Sequence, residues 1–320
     1  MVQLSMPQAL DREQPVATVT LLGTGAWGTT LASLATKAGH RVNTWSHRRG
    51  DDLGVAIAAA DVVVSAISMK GVEELSERLR AIQIPSHVIF VTATKGLDPK
   101  SLRTPSQIWQ ATFPNHPVAV LSGPNLSKEI DQGLPAATVV ACEDESAAEK
   151  VQTIFASDSF RVYTNTDPLG TELGGTLKNV IAIAVGVCDG LSLGTNAKSA
   201  LMTRALTEVI RIGTQLGGQP ETFFGLSGLG DMLATCSSSL SRNYRVGYGL
   251  AQGKTLDTIL NELQGTAEGV NTANVLIHLA DREQILVPIA SQVYRLLNGK
   301  ITPQQAVEAL MERDLKSEYR

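Results

Sequence analysis

A single lysine, Lys178, lies in the middle of an otherwise apolar segment whose sequence, TELGGTLKNVIAIAVG at residues 171–186, predicts a helix. Residues three and four apart share one face of a helix, and just before Lys178 that face carries Gly174 and Gly175. Glycine destabilises a helix interior by about 1 kcal/mol relative to alanine, so the pair indicates that another group approaches the backbone closely. The lysine itself either extends its amine to solvent along an apolar stem or serves as an acid–base group.

Two later segments carry side chains that suit a small anion. GLSGLGDMLATC at residues 225–236 places Asp231 at the start of a short predicted helix, where the helix dipole alone also favours a carboxylate. SSSLSRNYRVG at residues 237–247 contains Ser241, Arg242 and Asn243 within a serine-rich stretch that predicts a loop. Because a guanidinium group binds phosphate with two parallel hydrogen bonds, Arg242 is a candidate anion clamp.

The segment at residues 16–47, VATVTLLGTGAWGTTLASLATKAGHRVNTWSH, is the most specific in the chain. A buried-strand pattern leads into Gly23, Gly25 and Gly28, and a predicted helix and a second strand, RVNTW, follow. In such a unit the first glycine permits a tight turn, the second lets a pyrophosphate approach the backbone, and the third packs helix on strand. Free N–H groups at the helix N-terminus favour the anion. The segment therefore predicts dinucleotide binding.

Strand and helix patterns alternate as far as residue 167, which predicts a Rossmann-like, doubly wound and mostly parallel α/β sheet. Helical patterns replace them at roughly 171–189, 197–217, 256–263, 268–280 and 304–313. We therefore expect a dinucleotide-binding domain at residues 1–170 and an all-helical substrate and catalytic domain at residues 171–320. Ligands bind at the carboxyl ends of strands in such sheets. Six residues fall there: Ser68, Thr94, Lys95, Ser122, Gly123 and Pro124. Taken alone, Lys95 also fits an ordinary loop cation.

The composition, 43% hydrophobic and 18% charged over 320 residues, is that of a globular chain long enough for two cores. Its net charge of −4 argues against nucleic-acid and anionic-membrane partners. We find neither the start of a signal peptide nor a run of eighteen apolar residues, so no membrane span is expected. The spacings of Cys142, Cys188 and Cys236 fit neither a zinc site nor a disulfide framework. We expect a cytoplasmic protein without a metal site.

Together these segments resemble the NAD(P)-dependent glycerol-3-phosphate dehydrogenases of the soluble bacterial type. The motifs that carry the resemblance lie in order along residues 18 to about 313, which is nearly the whole chain: GTGAWGT, ATKGL, LSGPNLSKEI, GLPAATVVA, GGTLKNVIAIAVGVCDGL, GLGDMLATC, SRNYRVG and GTAEGVNTA. The combination of GGTLKNVIAIA with SRN is highly specific.

The resemblance implies a role for each matching residue. Lys178 is implied as the catalytic proton donor and acceptor. The implied substrate-binding residues are Lys95, Gly123, Asn125, Asp231, Ser241, Arg242 and Asn243. Beside the three glycines of the loop, Gly23, Gly25 and Gly28, the implied cofactor-binding residues are Ala26, Trp27, Lys95, Ser127, Arg242, Thr266 and Glu268.

The resemblance also implies the reaction. A hydride from NADPH or NADH adds to the ketone carbon of dihydroxyacetone phosphate, while Lys178 stabilises the developing charge and delivers the proton. In the oxidation of glycerol 3-phosphate the neutral lysine accepts the hydroxyl proton, and burial beside other cations is expected to lower its pKa toward the working range. The glycine face is expected to let the nicotinamide and the substrate lie close to the helix. A cytoplasmic dimer that supplies glycerol 3-phosphate for phospholipid synthesis is implied.

The end of the second strand bears on the choice of cofactor. Sheets that prefer NAD commonly end this strand with an acid that accepts from the ribose 2′-hydroxyl, whereas here Ser46, His47, Arg48 and Arg49 come first and the nearest acid is Asp51. A hydroxyl and two guanidinium groups suit a 2′-phosphate, so His47, Arg48 and Arg49 are cofactor-binding candidates. We predict that NADPH is preferred, with both cofactors usable; the alternative is that both arginines are solvated loop charges.

The chain departs from the family at one place. Only SHRRGDDLGVAIAAA connects the second strand to the third, where the family usually has several tens of residues that include part of the adenosine-side surface.

Two other functions remain open at this point. A dehydrogenase of similar architecture that acts on β-hydroxyacids also places a lysine on the first helix after the sheet, but the SRN clamp and the adjacent Lys178–Asn179 pair favour a phosphorylated substrate. A non-catalytic dinucleotide sensor needs the glycine loop, but not Lys178, Asp231 and Arg242 together.

Overall fold

The computed structural model describes residues 15–263, 265–315 and 317–318. A seven-stranded sheet forms the first half, with the strand order β2-β1-β3-β4-β5-β6-β7. The strands are β1 (Thr18–Leu22), β2 (Arg41–Trp45), β3 (Val62–Ser65), β4 (Ile89–Thr92), β5 (Val118–Ser122), β6 (Ala136–Ala141) and β7 (Phe160–Asn165). All neighbouring strands are parallel except β5 and β6. The predicted Rossmann-like, mostly parallel sheet is confirmed.

Helices cover both faces of this sheet. They are α1 (Ala26–Lys37), α2 (Leu53–Ile57), α3 (Val72–Arg80), α4 (Pro105–Thr112), α5 (Ser127–Asp131) and α6 (Glu145–Phe155). Side chains of α1, α5 and α6 join one apolar cluster against the sheet, and those of α2, α3 and α4 join another. Strands β3, β4 and β5 are buried along their whole length, as expected for strands that are covered on both faces. The chain runs from β1 outward to β2 and returns to β3 on the other side of β1, and ligands bind at such a switch point.

The second half is helical, as predicted. Its helices are α7 (Pro168–Gly190), α8 (Gly194–Gln215), α9 (Asp231–Ser237), α10 (Arg242–Ala251), α11 (Leu256–Glu262), α12 (Glu268–Glu283), α13 (Pro288–Leu297) and α14 (Pro303–Met311). A π-helical turn, Leu226–Gly230, runs directly into α9. The central helix α7 begins after Asp167, whose side chain accepts a hydrogen bond from the Gly170 N–H. The division of the chain between residues 170 and 171 stays a prediction.

Helix α7 is long and apolar enough to cross a membrane by length and composition alone. However, 83% of its most apolar 18-residue window is buried inside the molecule, within the apolar cluster of the helical half. This is the environment of a core helix.

Helices α7 and α10 cross unusually closely because glycines lie at the crossing. A Cβ atom on Gly186 would lie 2.9 Å from the Tyr248 backbone nitrogen, and one on Gly247 would overlap the carbonyl oxygen of Ile183. Only residues without a side chain let two helix backbones approach in this way. Since α7 carries Lys178 and α10 begins with Arg242, this crossing sets the position of the predicted clamp relative to the lysine.

Two helices of the second half were not predicted from the sequence. The serine-rich segment was predicted as a loop, but Ser241 caps α10 by accepting from the Tyr244 N–H, so here a serine begins a helix. Helix α13 depends on a distant residue: the buried carboxylate of Glu208 accepts from the N–H groups of Ile289 and Ala290 at 2.9 and 2.8 Å. The sequence marks this start only by Pro288 at the first helical position.

The helix crossing predicts the effect of one added methyl group. Gly247→Ala should lower the free energy of unfolding by about 1–3 kcal/mol, because the new Cβ meets rigid backbone, and it should reduce activity by displacing α10. Gly230→Ala is the matched control, since its Cβ would meet nothing closer than 3.6 Å, and should be neutral or slightly stabilising. Urea unfolding followed by circular dichroism measures both; equal stability of the two variants would contradict the close crossing.

Candidate active site

Lys178 meets a buried carboxylate at the centre of the site. Its Nζ donates to Oδ1 of Asp231 at 2.9 Å and to the hydroxyl of Thr235. Lys95, from the loop after β4, donates to Oδ2 of the same carboxylate and, at 3.3 Å, to the carbonyl oxygen of Gly123. Each oxygen of Asp231 therefore holds one lysine, one from the sheet and one from the helical half.

Two protonated lysines and one carboxylate leave one uncompensated positive charge at this largely buried site. Lys178 and Asp231 are only 8% and 3% exposed. Burial, opposed by the charge of Asp231 and assisted by that of Lys95, lowers the pKa of Lys178 to about 8. Burial alone would raise the pKa of Asp231, but the two lysine charges outweigh it and hold that pKa below its usual value. Asp231 is thus ionised at neutral pH, and Lys178 can gain or lose a proton near the working pH.

The glycines before Lys178 permit this meeting. A Cβ atom on Gly174 would lie 3.0 Å from the Cα of Gly228, in the π-helical turn, and one on Gly175 would collide with the hydroxyl of Ser122 at the end of β5. The close approach predicted from these glycines is present, but protein groups make it. The expectation that the nicotinamide and the substrate occupy this face is therefore wrong at these two positions, because β5 and the π-helical turn already fill it.

Two buried oxygen atoms near Lys95 have no hydrogen-bond partner among the described residues: Oγ of Ser122 and Oδ1 of Asn125. The amide nitrogen of Asn125 donates to the Thr138 hydroxyl at 3.0 Å, which fixes the side chain. Buried polar atoms are nearly always hydrogen-bonded. Ser122 Oγ and Asn125 Oδ1 therefore keep an unused capacity to accept hydrogen bonds beside Lys95.

The residues of the predicted clamp begin α10. The side-chain oxygen of Ser241 accepts a hydrogen bond from the Tyr244 N–H and so caps the helix. Asn243 is buried, donates to the side chain of Asn179 at 2.9 Å and accepts from the Gly269 N–H at 2.9 Å, so it joins α7, α10 and α12. Arg242 is exposed and its guanidinium group lies against Gly265. Arg242 is thus the one residue of the three whose side chain is exposed.

The glycine loop has the shape that the sequence predicts. Gly23 has a φ of 108°, and a Cβ atom on Gly28 would overlap the carbonyl oxygen of Gly23, so neither position accepts a side chain. Gly25 caps α1, and a Cβ atom there would meet nothing within 4 Å. Open space therefore adjoins the first turn of α1, where exposed Ala26 and half-buried Trp27 present their backbone. A pyrophosphate fits this position by charge and by access.

Three charged side chains come together on the cofactor side. Glu268 begins α12 and accepts from the Thr266 hydroxyl at 3.2 Å. Burial raises the pKa of Glu268, while the charges of Arg242 and Lys70 act in the opposite direction. Lys70 follows β3 in a 3-10 turn, Met69–Gly71.

The end of β2 differs from the expectation. Asp51 folds back, accepts from the Ser46 N–H at 2.9 Å and pairs with Arg49 at 2.6 Å. Arg49 also donates to the Thr44 carbonyl at 3.2 Å. An acid therefore does lie at the end of this strand, and one of the two predicted guanidinium groups is already occupied, whereas Arg48 is exposed.

The structure brings Lys95, Gly123, Lys178 and Asp231 into direct contact, and it places Ser127 at the start of α5, half-buried. Sequence reasoning missed Thr235, although its spacing from Asp231 is the i,i+4 spacing of one helix face. It also missed Lys70, for which no motif gave a signal.

Models of one protein family match both halves of this chain. A family model described as NAD-dependent glycerol-3-phosphate dehydrogenase C-terminus matches residues 167–308, and the corresponding N-terminus model matches residues 18–51 and 48–148. The two N-terminal pieces meet within the short connection between β2 and β3.

Individual relatives agree with the family models. The glycerol-3-phosphate dehydrogenase (NAD(P)+) of Synechocystis sp. is 66% identical over 301 residues, which cover 94% of this chain and 95% of that protein. The protein of the same name from Acaryochloris marina is 66% identical over 300 residues, with 94% and 97% covered. The crystal structure of glycerol-3-phosphate dehydrogenase from Coxiella burnetii is 32% identical, with a TM-score of 0.89 over 93% of this chain and 99% of that chain.

The buried charges predict a pH-dependent loss of stability in Asp231→Asn. At pH 7 the variant should lose about 3–5 kcal/mol of unfolding free energy, because two lysines lose their shared counter-charge. Asp231 raises the pKa of Lys178, so in the variant this lysine loses its proton at a lower pH than in wild type, where the pKa is about 8. The deficit relative to wild type should therefore be largest while Lys178 is protonated in both proteins, fall as the pH rises toward about 8, and stay at its lower level up to about pH 9.5.

Urea unfolding at a series of pH values measures this deficit. Glu262→Gln, which breaks the exposed pair with Lys254, is the control and should lose less than about 1 kcal/mol at every pH. A deficit in Asp231→Asn that is small, or that grows with pH, would contradict the charge arrangement.

Proposed function

The chain belongs to the NAD-dependent glycerol-3-phosphate dehydrogenase family, and from that premise we propose how its site carries out the reaction. The enzyme interconverts dihydroxyacetone phosphate and sn-glycerol 3-phosphate with NAD(P)H. Family membership decides against both the β-hydroxyacid dehydrogenase and the non-catalytic sensor. The observation that carries the mechanism is the buried contact between Lys178, Asp231 and Lys95.

Lys178 is the proton donor and acceptor. The bound nicotinamide supplies the hydride that adds to the ketone carbon. As charge develops on the carbonyl oxygen, the Lys178 ammonium group donates a hydrogen bond and then its proton. In oxidation the neutral Nζ accepts the hydroxyl proton. A pKa of about 8 keeps both forms accessible near neutral pH, and Asp231 with Thr235 holds the Nζ atom in place.

The remaining residues bind and orient the substrate. Arg242 is proposed to bind the phosphate, since its guanidinium group is exposed at the start of α10. The unsatisfied oxygens of Ser122 and Asn125 accept from the substrate hydroxyl groups. Lys95 adds positive charge beside Lys178, which favours an anionic substrate. Binding energy at the phosphate then positions the reacting carbon.

The other predicted site residues are proposed in the roles that the sequence implied. Gly123, Ser241 and Asn243 belong to the substrate side, and Asn243 acts through the helices that it joins. The cofactor side comprises Gly23, Gly25, Ala26, Trp27, Gly28, His47, Arg48, Arg49, Ser127, Thr266 and Glu268.

NADPH is proposed as the preferred cofactor. Arg48 supports this preference as an exposed cation after β2. Arg49 supports it less than the sequence implied, because it already pairs with Asp51. We also propose two domains, at residues 1–170 and 171–320, a cytoplasmic location, a homodimer, no membrane or nucleic-acid partner, and a role in supplying glycerol 3-phosphate for phospholipid synthesis.

Removal of the Lys178 amine should abolish most of the turnover. Lys178→Met should lower kcat by at least ~100-fold, the scale of one general acid, with the fold retained. In wild type, kcat/KM for glycerol 3-phosphate oxidation should rise as the pH passes about 8, because the base is the neutral amine, and reduction should fall through the same range.

Stopped assays over about two pH units on either side of the pKa of about 8 measure this pH dependence. The control variant is Lys150→Met, which changes an exposed lysine on α6 and should behave as wild type. Near-normal turnover in Lys178→Met, or an oxidation rate that falls through pH 8, would refute the assigned role.

Loss of the proposed clamp should act mainly on substrate affinity. Arg242→Ala should raise KM for dihydroxyacetone phosphate by about 10- to 100-fold, the scale of a lost hydrogen bond to a charged group. Arg242→Lys should recover part of the affinity, since it keeps the charge but loses the two-pronged geometry. Arg245→Ala removes an exposed arginine three residues further along α10 and serves as the control. An unchanged KM and kcat in Arg242→Ala would show that the phosphate binds elsewhere.

A further inference from the structure

The short connection between β2 and β3 changes what surrounds the end of β2. Its helix, α2, has only five residues. The last residue of β2, Trp45, is buried in the apolar cluster that also contains Leu75 and Leu79 of α3. Its indole N–H donates to the Asp51 carbonyl at 2.8 Å. Helix α3 thus takes part in enclosing the end of β2, next to the switch point where the adenosine end of a dinucleotide binds.

One cation of α3 points to this place. The guanidinium carbon of Arg78 lies 5.3 Å from the centroid of the Trp45 ring, within the range of a cation–π contact. Its Nη1 is 3.2 Å from Nδ1 of His47, the second residue after the strand. A guanidinium group has no acceptor, so Arg78 donates here and the Nδ1 atom of His47 accepts.

Arg78 has no carboxylate partner within 4.0 Å among the residues that the structure describes. Glu74 lies four residues earlier on the same helix, the usual spacing for an ion pair, yet Arg78 turns away from it. Another exposed arginine of α3, Arg80, does pair with an acid, Glu77, at 2.8 Å. At the end of β2, Arg49 is likewise paired, with Asp51. Within the described part of the chain, neither Arg78 nor the exposed Arg48, three residues after the strand, has an acidic partner.

We propose that Arg78 is a cofactor-specificity residue, which binds the 2′-phosphate of NADPH together with Arg48. The inference rests on the proposed preference for NADPH and adds the group that α3 contributes to it. Stacking on Trp45 and the hydrogen bond to His47 fix the plane of the guanidinium group and use one of its five N–H donors. The remaining donors match phosphate oxygens in the paired geometry that guanidinium favours.

This assignment also explains why Asp51 does not repel a 2′-phosphate. Both Nε and Nη2 of Arg49 donate to Oδ2 of Asp51, at 2.9 and 2.6 Å, so the carboxylate and that arginine neutralise each other. The net charge left for a ligand at the end of β2 comes from Arg48 and Arg78. An arginine on α3 thereby supplies, in this chain, part of the surface that its short connection lacks.

Two nucleotides that differ only in the 2′-phosphate test this assignment without catalysis. Isothermal titration of the purified protein with adenosine 2′,5′-bisphosphate and with adenosine 5′-monophosphate should show tighter binding of the bisphosphate. Arg78→Ala should weaken the bisphosphate by about 10- to 100-fold and leave the monophosphate nearly unchanged. Arg78→Lys should fall between wild type and Arg78→Ala. Arg80→Ala removes a paired arginine from the same helix and should match wild type.

The ratio of kcat/KM for NADPH to kcat/KM for NADH should decrease from wild type through Arg78→Lys to Arg78→Ala. The Tm of Arg78→Ala should equal that of wild type. If wild type binds the two nucleotides equally and shows no preference for NADPH, both the proposed preference and the role of Arg78 are wrong. If wild type prefers the 2′-phosphate and Arg78→Ala keeps that preference, only the role of Arg78 is wrong. An equal loss for both nucleotides, or a loss in Arg80→Ala of the same size, would also overturn it.

Discussion

The carboxylate of Asp231 holds the site together. Buried ions cost several kcal/mol each unless they are paired, and two lysines from different halves of the chain share this one carboxylate. Their meeting depends on Gly174 and Gly175, which let the π-helical turn and the end of β5 reach α7. The loop that carries Lys95 is fastened to α7 as well, because the N–H of Gly96 donates to the Thr176 hydroxyl at 3.0 Å. The excess positive charge is then available to an anionic substrate and to a developing oxyanion.

Sequence patterns predicted the parts of the fold that repeat at short range. Strand β1, the glycine loop, α1 and β2 follow from apolar periodicity and three glycines, because each glycine answers a local steric demand. The all-helical second half follows from the same periodicity. Helix α13 was missed although Pro288 at its start and the helical spacing of its buried apolar residues signal it locally. The part that the local sequence does not show is the cap by Glu208, some 80 residues earlier.

The candidate site shows the same limit. The sequence identified Lys178 as a candidate because a cation within an apolar helix is unfavourable unless it is paired or functional. The resemblance then implied its role as proton donor and acceptor. The sequence could not show which group fills the space beside Gly174 and Gly175, since that depends on tertiary packing. Nor could it show that Asp51 folds back onto the Ser46 N–H and pairs with Arg49. Taken in chain order, the residues after β2 predicted a group of cations with the nearest acid further along. In the folded loop that acid, Asp51, lies among them at the end of the strand.

The π-helical turn before α9 has a consequence for how this site tolerates change in length. The N–H of Gly230 donates to the carbonyl of Gly225, five residues earlier, so one residue more than an α-helical turn is accommodated just before Asp231. An α-helix advances by about 100° per residue. A deletion of a single residue at 226–230 removes this extra residue, so either the turn becomes α-helical or Asp231 rotates by about 100° away from both lysines. The register of the carboxylate is therefore tied to the length of this segment, and Gly228 within it accepts no side chain because a Cβ atom there would overlap the carbonyl oxygen of Phe223.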